Sequence, residues 1–448
     1  MECLVVGAGV HGCIAALELA DGGVSVVLCD AGGRVGGRDS DFMKSALSRG
    51  VKQTDISERW GFDHRLLGLG GSGNHWGGAC IGFREDEYRL AEQVLPWERY
   101  CQYLPKAIKY AGLPFEFVDD SHLAIKGILR PRRYAFSTLT ANNELAALKK
   151  RVIEHANIVY RPHHVLCGLT FDANGSVVKG AKFYDSKKGV YIELVADKFA
   201  LTLGATENGR CLLNLFESYP EIAKARYQTG LPIGDHVTVH GLAAVLDAGS
   251  LEKNRVYQVS IDEINAAIGV RFSAPVFGLP PSARFEAFRY KTFRKHLGRE
   301  SEILRMEVFF DVQPGGGRLM LDSSKDRFGL KYVNVQYHAE AYRGLMQKFV
   351  QIMSRNFSLA GIGAVLTRDR TVYSEDFVFT HYHPYGTTPF SASKNRRVID
   401  KQQRLDGTSN LYVSGTSVMG CSGVQTITYK SIPFTIAMVE NIMKNSVW

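Results

Sequence analysis

Residues Glu2 to Val6 are apolar enough to predict a strand, and the I-A-A-L-E-L-A that follows shortly after places its apolar side chains at helical spacing. A second apolar strand is expected from Val24 to Leu28. Residues 87–111 read as helical pieces interrupted at Pro96 and Pro105, because a proline inside a helix removes a hydrogen bond and clashes with the preceding turn. From Asn157 to Leu194 the period shortens to that of strands. Turns at Ala173-Asn174-Gly175 and Lys187-Lys188-Gly189 predict a meander there. An apolar strand over 198–203 then runs into Gly204-Ala205-Thr206-Glu207-Asn208 and a helix. Between about 228 and 380 the strand-like patches are Val237–Val245, Leu304–Val312 and Tyr332–Tyr337, with a helix expected near Glu340–Ser358. The chain closes with a strand from Asn410 to Val413 and, after Gly423, a long apolar helix to about Met443.

Length and composition bound this reading. A chain of 448 residues exceeds one compact core and predicts two or three domains. A hydrophobic share of 45% against 22% charged residues belongs to ordinary globular proteins. No apolar run is long enough to span a bilayer, so membrane contact is not expected. The first strand begins almost at Met1, leaving no space for a leader, and a cytoplasmic location is the expectation. The eight cysteines are scattered, without a C-x-x-C pair, which points to neither disulfides nor zinc, and no metal is expected. The net charge of +9 is dispersed, so it makes no nucleic-acid footprint. The one concentrated stretch, 281–299, interleaves aromatic and basic residues. It suits a lid, a subunit contact or an anionic surface, but equally a solvated helix face, and it carries no functional assignment.

Candidate chemistry begins at G-A-G-V-H-G, residues 7–12, between the first strand and the first helix. Gly7 permits the tight turn, Gly9 admits a pyrophosphate against the backbone, and Gly12 lets helix pack on strand, while the helix N-terminus favours an anion. Asp30, at the end of the second strand, is placed to accept from ribose hydroxyls. These features predict a dinucleotide and leave FAD and NAD both open. Arg34 and Arg38, in A-G-G-R-V-G-G-R, could extend the pyrophosphate site. The glycine-rich G-L-G-G-S-G-N-H-W-G-G-A-C of residues 68–80 implies backbone pressed against a flat ligand, with His75 and Trp76 held beside it.

Taken with L-T-L-G-A-T-E-N-G-R-C-L-L-N at 201–214, H-P-Y-G-T at 383–387 and N-L-Y-V-S-G-T-S at 410–417, these motifs resemble the glucose-methanol-choline (GMC) flavoprotein oxidoreductases, and the resemblance reaches both ends of the chain. It implies FAD rather than NAD, and an α/β fold in which a Rossmann-like FAD domain like that of p-hydroxybenzoate hydroxylase joins an α+β substrate domain on a mostly antiparallel sheet. The corresponding division is 1–85, 150–227 and 390–448 for FAD, 86–149 for covering helices and a lid, and 228–389 for substrate. Within the family the pyranose 2-oxidase branch is the nearest in its loop, since a histidine preceding tryptophan there can carry a covalent flavin, and His75 occupies that place. The cofactor positions implied are Gly7, Gly9, Gly12, Asp30, Arg38, Gly71, Ser72, Asn74, His75, Trp76, Gly204, Gly415, Ser417, Thr426 and Ile427.

The resemblance also implies hydride transfer from an alcohol carbon to flavin N5 while a histidine takes the hydroxyl proton. The family's base lies three residues before the glycine of the Gly-Thr turn, which is His383. Imidazole suits that work because its ordinary pKa is close to neutrality. His381, two residues earlier, would lie on the same side of an extended strand and is the candidate orienter. The helix after Gly423 would bring its positive end to the flavin. Here the chain departs from the family: where an asparagine or a second histidine is usual, it has Thr426, with Gln425 adjacent. The expected substrate is a small-molecule alcohol, on the pyranose-oxidase analogy a sugar or glycoside. Two other readings stand beside this one. A flavin amine oxidase is suggested by R-V-G-G-R, though that family has no place for the two histidines or the N-H-W loop. A non-catalytic flavin-binding protein is suggested by the missing asparagine. Neither the electron acceptor nor the oligomeric state follows from the sequence.

Overall fold

A computed structural model gives the architecture. The structure describes residues 1–33, 51–53, 66–89, 91–114, 129–133, 135–140, 144–222, 227, 230–247, 255–259, 284–285, 288–289, 301–312, 316–337, 351, 355, 358, 363–367, 378–380, 383–423 and 427–444.

Strand β1 (Glu2–Val6) leads into helix α1 (Val10–Asp21), and β2 (Ser25–Cys29) follows after a short turn. The turn has its reason in α1's end: Gly22 caps the helix with its N–H on the Glu18 and Ala20 carbonyls. Helix α2 (Trp97–Ala111) takes Pro96 as its N-cap but carries Pro105 in its interior. The expected break at Pro105 is therefore absent. Tyr100, Ala107 and Ala111 are buried on either side of it, and the packing of that face outweighs one lost hydrogen bond and a local clash. Helix α3 (Glu144–Glu154) leads to β3 (Ile158–Arg161). The meander is β4 (His164–Phe171), β5 (Val178–Asp185) and β6 (Val190–Leu194), an antiparallel three-stranded sheet whose turns place Gly175 and Gly189 at positive φ. Strand β7 (Lys198–Leu201) and helix α4 (Ala205–Ser218) complete the first half.

The central sheet has the order β12-β7-β1-β2-β3, where β12 is Leu411–Val413, and every pair in it is parallel. The antiparallel character expected of the second half thus does not extend to this sheet. Its inner strands are mostly apolar because both of their faces are covered, while the edge strand β3 leaves Val159 exposed. Leu4 and Val6 enter one core cluster, while Cys3 and Val5 enter the other, with α1 and the C-terminal helix α5 (Ile427–Lys444). In the second half, β8 (Asp235–Asp247) pairs antiparallel with β9 (Ser301–Val312), and β10 (Gly317–Lys325) with β11 (Lys331–Tyr337). Most of the helix expected near Glu340–Ser358 lies outside the described residues, though residues 351, 355 and 358 are described and helical, and most of segment 281–299 lies outside them too.

The β10–β11 hairpin is pinned to α4 by a buried ion pair. Arg210 donates to Asp326 at 2.6 Å and to the Lys331 carbonyl at 3.0 Å, and the Lys331 N–H reaches Asn214 at 2.8 Å. Both charged side chains are almost fully buried, and removing Asp326 leaves buried Arg210 with Glu207 as its remaining carboxylate, at 3.5 Å. Asp326 also accepts the Phe328 and Leu330 N–H groups and so shapes the hairpin turn. Asp326→Ala should lower stability by about 3 kcal/mol, read as a drop in the urea midpoint with little change in slope.

Candidate functional site

The strand ends of the parallel sheet open onto a cavity of about 480 Å³. Its walls come from Gly7 and Gly9–His11 after β1, Asp30 after β2, the loop around Gly71–Trp76, β4, Thr202–Glu207 with Arg210 and Cys211 after β7, and Thr416 after β12. Ligands of open α/β sheets bind at this carboxyl end of the strands.

The first turn divides its glycines by task. Gly7 is at φ +100°, and a Cβ there would lie 2.7 Å from the Thr202 carbonyl oxygen. A Cβ on Gly12 would lie 1.7 Å from the Gly7 oxygen, so Gly12 sets how closely α1 approaches the sheet without lining the cavity itself. Gly9 differs from both. A Cβ there would meet nothing within 4 Å, and as N-cap of α1 it offers no side-chain oxygen to the first-turn N–H groups. The positive end of α1 thus faces the cavity across bare backbone, which fits a pyrophosphate.

Asp30 lines the cavity, but its carboxylate is engaged within the protein. One oxygen accepts the Ala8 N–H at 2.7 Å, and the other accepts Gly32 and Gly68 at 2.8 and 2.6 Å. Burial pushes its pKa up, against the pull of these three N–H groups. The expected ribose acceptor is therefore, in the first place, a clamp joining three loops. His11, at the start of α1, bonds through Nε2 to Ser431 of α5 at 2.7 Å. Burial pushes its pKa down from 6.5 to about 4.

Gly71–His75 forms one short 3-10 helix, with Gly70 and Gly71 at positive φ. Gly71, Ser72, His75 and Trp76 line the cavity, and His75 is exposed toward it. Asn74 does not line it. Its amide nitrogen ties to the Leu69 and Gly71 carbonyls while its oxygen accepts from Lys149 at 2.8 Å, so it shapes the loop. Gly204, Thr416 and Ile427 also lie on the wall. Gly415 instead packs against His11, and the Ser417 hydroxyl is buried against Asn208 at 2.9 Å. Arg34, Arg38, His381, Gln425 and Thr426 lie outside the described residues.

His383 lines the cavity beside Pro384, Asp235 and Thr416. Its position is fixed by backbone. Gly234 and Tyr385 exchange N–H···O bonds of 2.8 and 3.0 Å, the Gly386 N–H reaches the Thr416 carbonyl, and the Thr387 hydroxyl donates to the Ala205 carbonyl at 2.7 Å. Asp235 Oδ1 accepts both the His236 and the His383 N–H, at 2.7 and 2.9 Å. These contacts bring in a residue that sequence reasoning missed. His236, at 1% exposure, stands perpendicular to His383 with their Nδ1 atoms 3.2 Å apart. Its signal is the Asp-His pair heading the apolar run of β8, whose start the sequence reading set two residues too late, at Val237.

Known proteins resemble the chain as follows. A family model described as GMC oxidoreductase matches residues 315–430, the part that contains His383 and the start of α5. No curated protein sequence matches the chain. Among solved structures, pyridoxine 4-oxidase from Mesorbium loti is similar, with 16% identity, a TM-score of 0.63 and 99% of both chains covered. A variant of Aspergillus oryzae RIB40 formate oxidase, from work on FAD modification, has 16% identity and a TM-score of 0.64 over 99% of this chain and 98% of that one. A further formate oxidase structure has 17% identity and a TM-score of 0.61 over 99% and 97%. At these identities the likeness establishes the fold. The pyranose 2-oxidase branch is not among these matches. Among the described residues no helix is long and apolar enough to cross a membrane.

Two outcomes follow from the local geometry. Gly9→Ala should leave the unfolding free energy from urea within about 0.5 kcal/mol of the parent, since its methyl meets no protein atom, yet reduce the flavin retained through gel filtration severalfold. For His11, the folded pKa of about 4 lies below the ordinary 6.5, so the unfolded chain binds the proton more readily. Its contribution is complete above pH 6.5 and is lost as pH falls toward 4. The loss of urea midpoint between pH 7 and pH 5 should be smaller in His11→Gln than in the parent.

Proposed function

We propose that the protein is an FAD-dependent oxidoreductase of the GMC type that oxidises the CH–OH group of a small-molecule alcohol, with His383 receiving the hydroxyl proton. The single observation that carries this reading is the meeting of His383 with the Gly9 cradle on one cavity, inside the segment matched by the family model. Bound FAD supplies the hydride acceptor. What the chain supplies is position and charge. His383 is held by Asp235 on its backbone N–H and by the Gly234–Tyr385 bridge, so an alcohol oxygen bound beside Pro384 and Thr416 meets a base that does not have to search for its place. Helix α5, whose first residues Ile427 and Thr428 line the cavity, turns its positive end to the same space and favours negative charge developing there.

The substrate carbon is the finer part of the reading. The Asn74-His75-Trp76 loop is the feature that suggests a carbohydrate, and His75, exposed to the cavity, is the candidate for covalent attachment of the flavin. The solved relatives are named for pyridoxine and formate, which makes these two the controls against a panel of sugars and glycosides. Mass spectrometry of the denatured holoprotein reads the attachment directly, as a flavin mass on the peptide containing His75. Anaerobic bleaching of the flavin by members of the panel tests the activity, with amines included to test the amine oxidase reading. Replacement of His383 by Ala should slow bleaching by about 10²- to 10⁴-fold with flavin retention unchanged. A variant that bleaches at the parent rate would remove His383 from the base role.

A further inference from the structure

We infer that His236 is a positioning residue that sets the tautomer of His383, holding the proton on its Nδ1 and so making Nε2 its basic nitrogen. This deepens the reading of His383 as the base and rests on it.

The assignment starts from an atom with only one possible role. The Gly423 carbonyl oxygen lies 3.2 Å from His236 Nε2, and a carbonyl can only accept, so Nε2 carries hydrogen. The Ser422 hydroxyl, 3.0 Å from the same nitrogen, then accepts there and turns its own hydrogen elsewhere, the Gly423 oxygen being 3.4 Å away. The placement of that carbonyl is well fixed. Gly423 sits at φ +60°, and a Cβ on it would lie 3.1 Å from the Phe83 ring and 3.3 Å from Glu87 Oε2. The preceding residue is held too, for the buried Lys430 donates to the Ser422 carbonyl at 2.8 Å.

His236 is 1% exposed, and in this scheme its ring is neutral. A neutral ring with hydrogen on Nε2 has a lone pair on Nδ1. The atom facing that lone pair, 3.2 Å away, is His383 Nδ1, which must then be the donor. A neutral His383 with its hydrogen on Nδ1 is basic at Nε2, the nitrogen on the far side of the ring. When Nε2 takes the hydroxyl proton, the Nδ1–H···Nδ1 bond to His236 becomes charge-assisted and strengthens, which raises the proton affinity of the base as it acts. His236 thus touches neither substrate nor cofactor in this scheme. It works through His383, while Asp235 below aligns the two backbones.

Nitrogen-15 NMR of histidine-labelled holoprotein tests this without any substrate, so its outcome is separate from that of the alcohol panel. The His383 resonances, assigned by their disappearance in His383→Ala, should show Nδ1 protonated and Nε2 unprotonated in the resting enzyme. In His236→Leu, which offers no acceptor, the Nδ1–H form should give way to the other tautomer and the proton affinity of His383 should fall by about tenfold. His236→Asn, whose side-chain oxygen can stand near the place of Nδ1, should restore both. A parent protein with hydrogen on His383 Nε2 overturns the inference, whether or not the leucine variant folds. So does a leucine variant whose tautomer and titration match the parent, or an asparagine variant that behaves like the leucine one.

Discussion

Three loops of the nucleotide cradle hang on one carboxylate. Asp30 reaches back to the Ala8 N–H and across to Gly32 and Gly68, and each of these N–H groups would otherwise be a buried donor without a role. Burying a carboxylate is costly, and the arrangement persists because three amide dipoles converge on it. The remainder of the cradle is built on that point. Gly70 donates to the Ala8 carbonyl, Gly9 bridges Gly70, and Gly32 packs so tightly on Gly68 that a Cβ would fall 2.5 Å from its nitrogen. The mouth of the cavity is therefore shaped by the protein's own hydrogen bonds, independently of what enters it.

The corner around His383 is assembled differently, from segments far apart in the chain. The turn after His383 is fastened to Ala205 and Thr416, and its Tyr385 exchanges backbone bonds with Gly234. The hairpin carrying Lys331 is fastened to α4 by Arg210 and Asp326. Most of these contacts end on backbone atoms, which leaves the cavity-facing side chains free to differ without moving the frame. On the proposed reading, a base carried on such a frame needs little reorganisation to act.

What could be read before folding follows from how local each cause is. The glycine turn, α1 and β2 were legible because strand, positive-φ turn and helix succeed one another within thirty residues. The meander turns were legible because Asn174-Gly175 and Lys188-Gly189 provide the left-handed residue on the spot. Pro105 misled for the opposite reason. Its local penalty is real, but the burial of Tyr100 and Ala107, decided by α5 and the aromatic cluster around Tyr88, is larger. Asp30 lines the cavity, yet its partners Ala8 and Gly68 belong to other loops, so its work as a clamp could not be seen.

The sequence by itself determined the opening strand, glycine turn and helix and the cradle glycines, because each is written in contiguous residues whose conformational needs are local, while the α/β fold and the candidate His383 came from the resemblance of its motifs to a family. Only the tertiary structure decided which groups stand beside that histidine. His236 is 147 positions away along the chain and reaches His383 through the Gly234–Tyr385 bridge. Its tautomer in turn depends on a carbonyl a further 187 positions from it. A contact of that kind has no period and no spacing. It exists only when separate strands and turns are brought within hydrogen-bonding distance by the packing of the whole.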